Sequence, residues 1–253
     1  MPKRRSNKRG RPLKSALSSD TIFFYLPSEI PYGIFCQWHP SSITLPTTSL
    51  SFLVTKSTAH HFPAPILASY SPTITFSCAE QLFMFCKSLF FADAGTCARI
   101  LSTPDPKEQK KLGKEVTGFN EYKWTRMKSR VARVGNWYKF RDEALKAVLL
   151  GTGERELVEA SSKDRVWGIG FKEKNAEVNR KEWGENRLGR ALMRVRERLR
   201  ELARRQENEI VDWEWDGGVK EEVEDTEDNG KREDVMIKEE VVAEVNKLHG
   251  EVE

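Results

Sequence analysis

Glu80 and Lys87 stand seven residues apart inside the most apolar stretch of the chain, Ser77-Cys78-Ala79-Glu80-Gln81-Leu82-Phe83-Met84-Phe85-Cys86-Lys87-Ser88-Leu89-Phe90-Phe91. The stretch predicts a helix, and at about 3.6 residues per turn the two charges fall close to one face, two turns apart. An acid and an amine on one face of an otherwise buried helix are costly unless each meets a partner or a ligand. The pair therefore marks this face as a candidate active-site wall. Glu80 has a second reading, because Ser77-x-x-Glu80 fits a capping box in which each side chain bonds the other residue's backbone amide. Lys87 has no such local explanation. Desolvated among Phe83, Phe90 and Phe91, its amine should have a lowered pKa and could attack as a nucleophile. Held protonated, it would instead pair with Glu80 or Asp164 and neutralise phosphate.

Metal and disulfide chemistry are not expected. Cys36, Cys78, Cys86 and Cys97 include no Cys-x-x-Cys pair and no secretory signal accompanies them, so they read as reduced thiols of an intracellular protein, cytoplasmic or nuclear. His39, His60, His61 and His249 form no metal-ligand spacing with them, and no cofactor is expected. The longest apolar run is too short for a membrane span and is broken by Lys87, which predicts a soluble chain without a membrane partner.

The formal net charge of +4 hides a division of the chain into three parts. Residues 1–14 carry seven Lys or Arg and no acid, whereas residues 206–253 carry eighteen acids and five bases. The middle is left basic, which favours an anionic ligand. Residues 1–19 have no apolar periodicity and read as a disordered basic arm; residues 205–253 read as a disordered acidic tail. The arm suits nuclear targeting or solubilisation. Its Arg9-Gly10-Arg11-Pro12 core also resembles an AT-hook, whose arginines enter a narrow A·T minor groove, so DNA is a candidate partner. In the tail, Val219-Lys220-Glu221-Glu222 and Ile237-Lys238-Glu239-Glu240 fit the aliphatic-Lys-x-Glu pattern of sumoylation sites.

Between these ends, residues 20–204 are expected to form one domain. Thr21 to Tyr25 reads as a strand, and residues from about 40 to 72, rich in Ser, Thr and Pro, read as an insertion loop. Its one apolar run, Leu50-Ser51-Phe52-Leu53-Val54, reads as one strand or a hairpin within the loop. Thr73 to Phe76 is a short strand leading into the Glu80 helix. Pro104 and Pro106 start a helix from Lys107 to Val116. A further helix carries Trp124, Met127, Val131 and Val134; it is expected to end near Gly135-Asn136, with another from Asp142 to Leu150. Glu156 to Ala160 alternates like a strand. Leu188, Ala191, Leu192, Val195, Leu199 and Leu202 give the last helix its buried stripe.

Several separated motifs then converge. Cys78-Ala79-Glu80-Gln81 with Lys87, Arg133-x-Gly135-Asn136-x-x-Lys139-Phe140 and Val158-Glu159-Ala160 precede Asp164-x-x-Trp167-Gly168-Ile169-Gly170 and Gly184-Glu185-Asn186-Arg187-Leu188-Gly189. In that order and at that spacing, from about Ile22 to Leu199, they resemble the NADAR (YbiA-like) family. The resemblance implies an α+β, predominantly helical single domain that hydrolyses N-glycosidic bonds between ribose and a nitrogen base. Two substrate types are implied: ribosylaminopyrimidine phosphates of early riboflavin synthesis, and ADP-ribose attached to guanine. The alternative is a non-catalytic module that binds ADP-ribose or a nucleotide, tethered to DNA through the basic arm. The chain departs from the family pattern at Cys36, where serine is frequent, and in its long segment before Pro72.

Cleaving a ribose C1–N bond builds oxocarbenium character on the sugar while the base leaves with its electrons. That calls for a carboxylate near C1, a proton for the base, and water or an amine as nucleophile. Glu80 supplies the carboxylate or acid, Lys87 the amine, and Asp164 the orientation of ribose hydroxyls or water, unless it only forms an Asx-turn. Trp38 and Trp167 are candidates for stacking on a base, with Gln37 beside the first. Amides around Gly168 and Gly170, and from Asn186 through Arg187 to Gly189, suit phosphate binding; Asn136 adds a hydrogen bond.

Overall fold

The computed structural model describes residues 20–57 and 63–205. The basic arm with Arg9-Gly10-Arg11-Pro12, and the acidic tail beyond Arg205, lie outside the described residues.

The described chain is α+β and predominantly helical. Strand β1 (Thr21–Phe24) is followed by β2 (Ile43–Pro46), α1 (Ser51–Lys56), α2 (Ala64–Ala68) and β3 (Thr73–Phe76). Helices α3 (Ala79–Phe90), α4 (Ala94–Leu101), α5 (Pro106–Leu112), α6 (Glu121–Lys139) and α7 (Glu143–Gly151) come next. Strand β4 (Glu156–Glu159), α8 (Glu173–Ala176) and α9 (Arg187–Arg205) complete the order. The strands form two pairs. β1 and β4 run parallel, with Thr21 opposite Glu156 and Phe24 opposite Glu159; β2 and β3 run antiparallel, with Ile43 opposite Phe76.

α3 is the central element, packing against α4, α5, α6 and α1, while α9 packs on α6 and β4. Phe85, Cys86 and Leu89 are wholly buried, because apolar residues occupy nearly every side of α3. Asp93 caps α4, Asn120 caps α6 and Asp142 caps α7, each side chain accepting amide hydrogens that the first helical turn leaves unpaired.

Two sequence expectations change. The run Leu50 to Val54 is not a strand: a 3-10 turn over Thr47–Leu50 feeds directly into α1, and Leu50 and Leu53 are fully buried. Ile43 and Leu45 on β2 are fully buried as well, so much of the segment read as an insertion loop belongs to the core. Apolar spacing of two, then of three and four, outweighs the Ser/Thr/Pro composition on which that reading relied. The second change is at Gly135-Asn136, where α6 continues without a break to Lys139. Gly135 serves close packing there, since a Cβ at that position would lie 3.1 Å from the Leu82 side chain on α3.

Candidate active site

A cavity of about 590 Å³ opens at the carboxyl ends of the parallel strands. Tyr25, Leu26 and Pro27 line it just after β1; Glu159 closes β4 beside it. Glu80, Phe83, Met84 and Lys87 form the α3 wall, and Gln37 with Trp38 faces them. Ligand sites collect where strands end because loops there vary without disturbing the sheet.

Glu80 is buried, and the capping box does not form. Gln81 takes the Ser77 amide hydrogen on its Oε1 at 2.7 Å, and its side-chain nitrogen donates to the carbonyls of Ile100, Leu101 and Thr103. The Glu80 carboxyl is thereby released to the cavity, where Oε1 is buried without a hydrogen-bond partner. Burial pushes its pKa up to about 7; Lys110 and a hydrogen bond from the Trp38 side chain oppose this, and Asp164 reinforces it. Its backbone N–H donates to Gln37 O at 3.0 Å, which fixes α3 to the Gln37-Trp38 segment.

Lys87 donates to the Gly113 carbonyl at 2.7 Å, and its Nζ lies 3.8 Å from the centre of the Phe119 ring. Burial lowers its pKa, with Glu121 pulling the other way. Among the described residues it makes no ion pair with Glu80 or Asp164, so the pairing considered for the charged lysine is absent. Asp164 forms the Asx-turn, its Oδ1 accepting from the Val166 and Trp167 amides, each at 2.8 Å, and the residue also lines the cavity. Trp167 meets Phe83 edge-on at 5.1 Å and also lines the cavity, as does Trp38.

Gly168, Gly170, Asn136, Asn186, Arg187 and Gly189 do not line it. Three of the proposed phosphate-binding amides are already committed: Gly170 N donates to the Ser161 and Asp164 carbonyls, Asn186 N to Gly168 O, and Arg187 N to Val166 O. These residues instead build the platform. Asn186, at φ +50°, accepts the Glu159 amide hydrogen on Oδ1 and donates to Leu157 O, clipping β4 to the start of α9. Gly168 and Gly189 permit close approach, since a Cβ would fall 2.7 Å from Glu159 O and 2.0 Å from Leu157 O respectively. The Arg187 side chain bonds Glu185 and Ser129, and Asn136 donates to Ala132 O.

The structure adds groups that reading the sequence missed. Glu159 has a buried, unpartnered Oε2. Burial, then Asp164, push its pKa up to about 7, with Lys110 opposing. Its position as the last residue of a short alternating strand was a usable signal. Lys110, Lys128 and Lys163 surround the same cavity, Lys128 paired with Glu121 at 3.2 Å. Lys139 lies behind it, wholly buried, donating to Cys36 O at 2.9 Å and pushed down to about 8 by desolvation. An acidic floor beneath a lysine-rich rim suits a ligand with a hydroxyl- or amine-bearing part and an anionic part.

The N-glycosidase R617 of Acanthamoeba polyphaga mimivirus is 37% identical over 122 residues, 47% of this chain and 72% of its own length. The N-glycosidase Npun_R5314 of Nostoc punctiforme is 30% identical over 183 residues, 72% of this chain and 94% of its own. The solution structure of the Escherichia coli protein YbiA superposes with a TM-score of 0.52 at 24% identity, covering 77% of this chain and 94% of YbiA, and shows the shared fold. The class is that of glycosidases acting on N-glycosyl compounds. The chain belongs to the NADAR family, whose domain spans residues 23–200.

Proposed function

We propose that the cavity hydrolyses the N-glycosidic bond of a phosphorylated ribosylaminopyrimidine, with Lys87 as nucleophile. The observation that carries this reading is the convergence of Glu80, Lys87 and Asp164 on one cavity, with the lysine in no ion pair with either acid among the described residues. A cavity of about 590 Å³ is of a size to take a mononucleotide whole. ADP-ribosylated guanine would have to leave its second nucleoside outside, over exposed Tyr25 and Leu26.

In this reading Trp38 and Trp167 flank the base and Asp164 orients the ribose through the oxygen not bound to the loop amides. Lys110 and Lys163 at the rim neutralise the phosphate. The Lys87 amine displaces the base at C1, and the ribosyl-lysine opens to a Schiff base that water hydrolyses to free sugar and amine.

The test is borohydride trapping on two substrates, a ribosylaminopyrimidine phosphate and ADP-ribosylated guanosine. Wild-type protein should release base from the first and form a ribose adduct that Lys87→Ala does not form. Glu80→Gln should slow base release at least about hundredfold. Turnover retained in both variants would remove this site, and release from the guanosine conjugate alone would reassign the substrate.

A further inference from the structure

Breaking the C1–N bond leaves one requirement unassigned, a proton for the departing nitrogen. Among the described residues, two carboxyl groups line the cavity with a buried oxygen that has no hydrogen-bond partner: Glu80 through Oε1 and Glu159 through Oε2. They come from different elements, α3 and the carboxyl end of β4, and only Glu80 is accounted for by the proposed reaction. We propose that Glu159 is a second catalytic residue, the acid that protonates the departing base, while Glu80 remains the ionised carboxylate beside C1. This rests on the glycosidase reading above and divides the labour within that site.

The backbone of Glu159 is held on both sides. Its N–H donates to Asn186 Oδ1 at 3.1 Å, its carbonyl accepts from Ile169 N at 3.1 Å, and Ala160 N donates to Phe24 O. Gly168 lets the following loop close against that carbonyl. A strand-end residue fixed this way presents its carboxyl at a defined place, as a proton donor requires.

The surroundings divide the two acids. Glu159 is faced by Asp164 from the following loop, by Lys110 from α5 and by Glu80 from α3; after burial, the largest influence is Asp164, which favours the protonated form. Glu80 is faced by Lys110 and bonded by the Trp38 side chain, both favouring its ionised form, with Asp164 the weaker opposing charge. Both carboxyls are pushed up to about 7, so near neutral pH one can hold a proton while the other is ionised, and the differing neighbours favour Glu159 as the protonated one.

The proton balance closes. The C1–N bond breaks with its electron pair on the base nitrogen, which takes the Glu159 proton. The Lys87 amine bonds C1 and sheds a proton to Glu80. Hydrolysis of the ribosyl-lysine consumes one water and no net proton, and the Glu80 proton returns to Glu159 through water before the next turnover.

The test compares two leaving groups in wild type, Glu159→Gln, Glu159→Asp and Glu80→Gln: the aminopyrimidine of the ribosyl phosphate, and 4-nitrophenolate on the same ribosyl phosphate, which departs without protonation. Glu159→Gln should lose about 10²–10⁴-fold on the aminopyrimidine and lose the alkaline limb of its pH profile. It should stay within about tenfold of wild type on the nitrophenyl compound, and Glu159→Asp should recover part of the aminopyrimidine rate. Glu80→Gln should be slow on both. Equal slowing of Glu159→Gln on both leaving groups, or an unmoved pH profile, would overturn the assignment of Glu159 alone. A wild-type protein inert toward both compounds would overturn the glycosidase reading and this assignment with it.

Discussion

The two acids with unpartnered oxygens set the residue-scale behaviour of this site. A carboxyl whose pKa is raised by folding binds its proton more tightly in the folded chain than in the unfolded one. Stability from such a group is full below the unfolded value and is lost as pH rises through the folded one. For Glu80 that window runs from the ordinary value of 4.5 to about 7. By about pH 8 the free protein is therefore destabilised by the ionised Glu80 carboxylate, by about 3 kcal/mol if the whole shift counts. Glu80→Gln should accordingly raise Tm by several degrees at pH 8 and leave it nearly unchanged at pH 4, as read from thermal melts at the two pH values. A fall in Tm at pH 8 would mean that the carboxylate is stabilised in the free protein. The same chemistry shows how a local sequence rule was overruled: Ser77-x-x-Glu80 satisfies the capping-box pattern, yet Gln81 reaches the Ser77 amide instead. Its nitrogen also finds three carbonyls at the end of α4 and just beyond it, so the two ends of one amide are satisfied together and the glutamate is left for the cavity.

At the scale of elements, the site depends on close approaches between backbones. α9 begins against β4, with Gly189 so near Leu157 O that no side chain fits. Because the obstacle is backbone, it cannot swing aside as a flexible side chain would. Gly189→Ala should cost about 1–3 kcal/mol and lower Tm by about 3–10 °C. By shifting β4 it should also reduce kcat more than it weakens substrate binding; unchanged melting would show that α9 can slide without strain. Gly135 is a milder case. Its neighbour is the Leu82 side chain, and the helix-favouring effect of alanine offsets part of the crowding. The motif residues Asn136, Asn186 and Arg187 belong here as well, since they act on backbones and neighbouring side chains rather than line the cavity. The motifs did not distinguish the residues that line the cavity from those that hold its platform.

At the scale of the whole molecule, charge is unevenly distributed: a basic arm and an acidic tail flank a basic middle. DNA binding through the arm is a proposal resting on Arg9-Gly10-Arg11-Pro12, which lies outside the described residues. Removing residues 1–14 should weaken binding to A·T-rich duplex and flatten its dependence on salt, as measured by fluorescence anisotropy over a salt series. Turnover of a small substrate should be unchanged, because the described residues that line the cavity run from Tyr25 to Leu188. An unchanged salt slope would leave the arm without a role in DNA binding. Among the described residues no helix is long and apolar enough to cross a membrane.

Sequence by itself determined the helical character of the chain, the family, and the placing of Glu80 and Lys87 on one face of one helix. Periodicity and spacing within an element are local properties, set by about 3.6 residues per turn whatever surrounds them. It misjudged residues 40–72, where composition suggested a loop and the buried stripe of Ile43, Leu45, Leu50 and Leu53 was the truer guide. Tertiary structure alone decided which side chains meet. The parallel pairing of Phe24 with Glu159 brings β4's last residue to the cavity, and α3 lies across it so that two acids distant in sequence share one space. It also decided that amides suited to phosphate were already spent on carbonyls. Whether a buried polar group is satisfied depends on partners contributed by other elements, and the spacing of residues along one element carries no record of them.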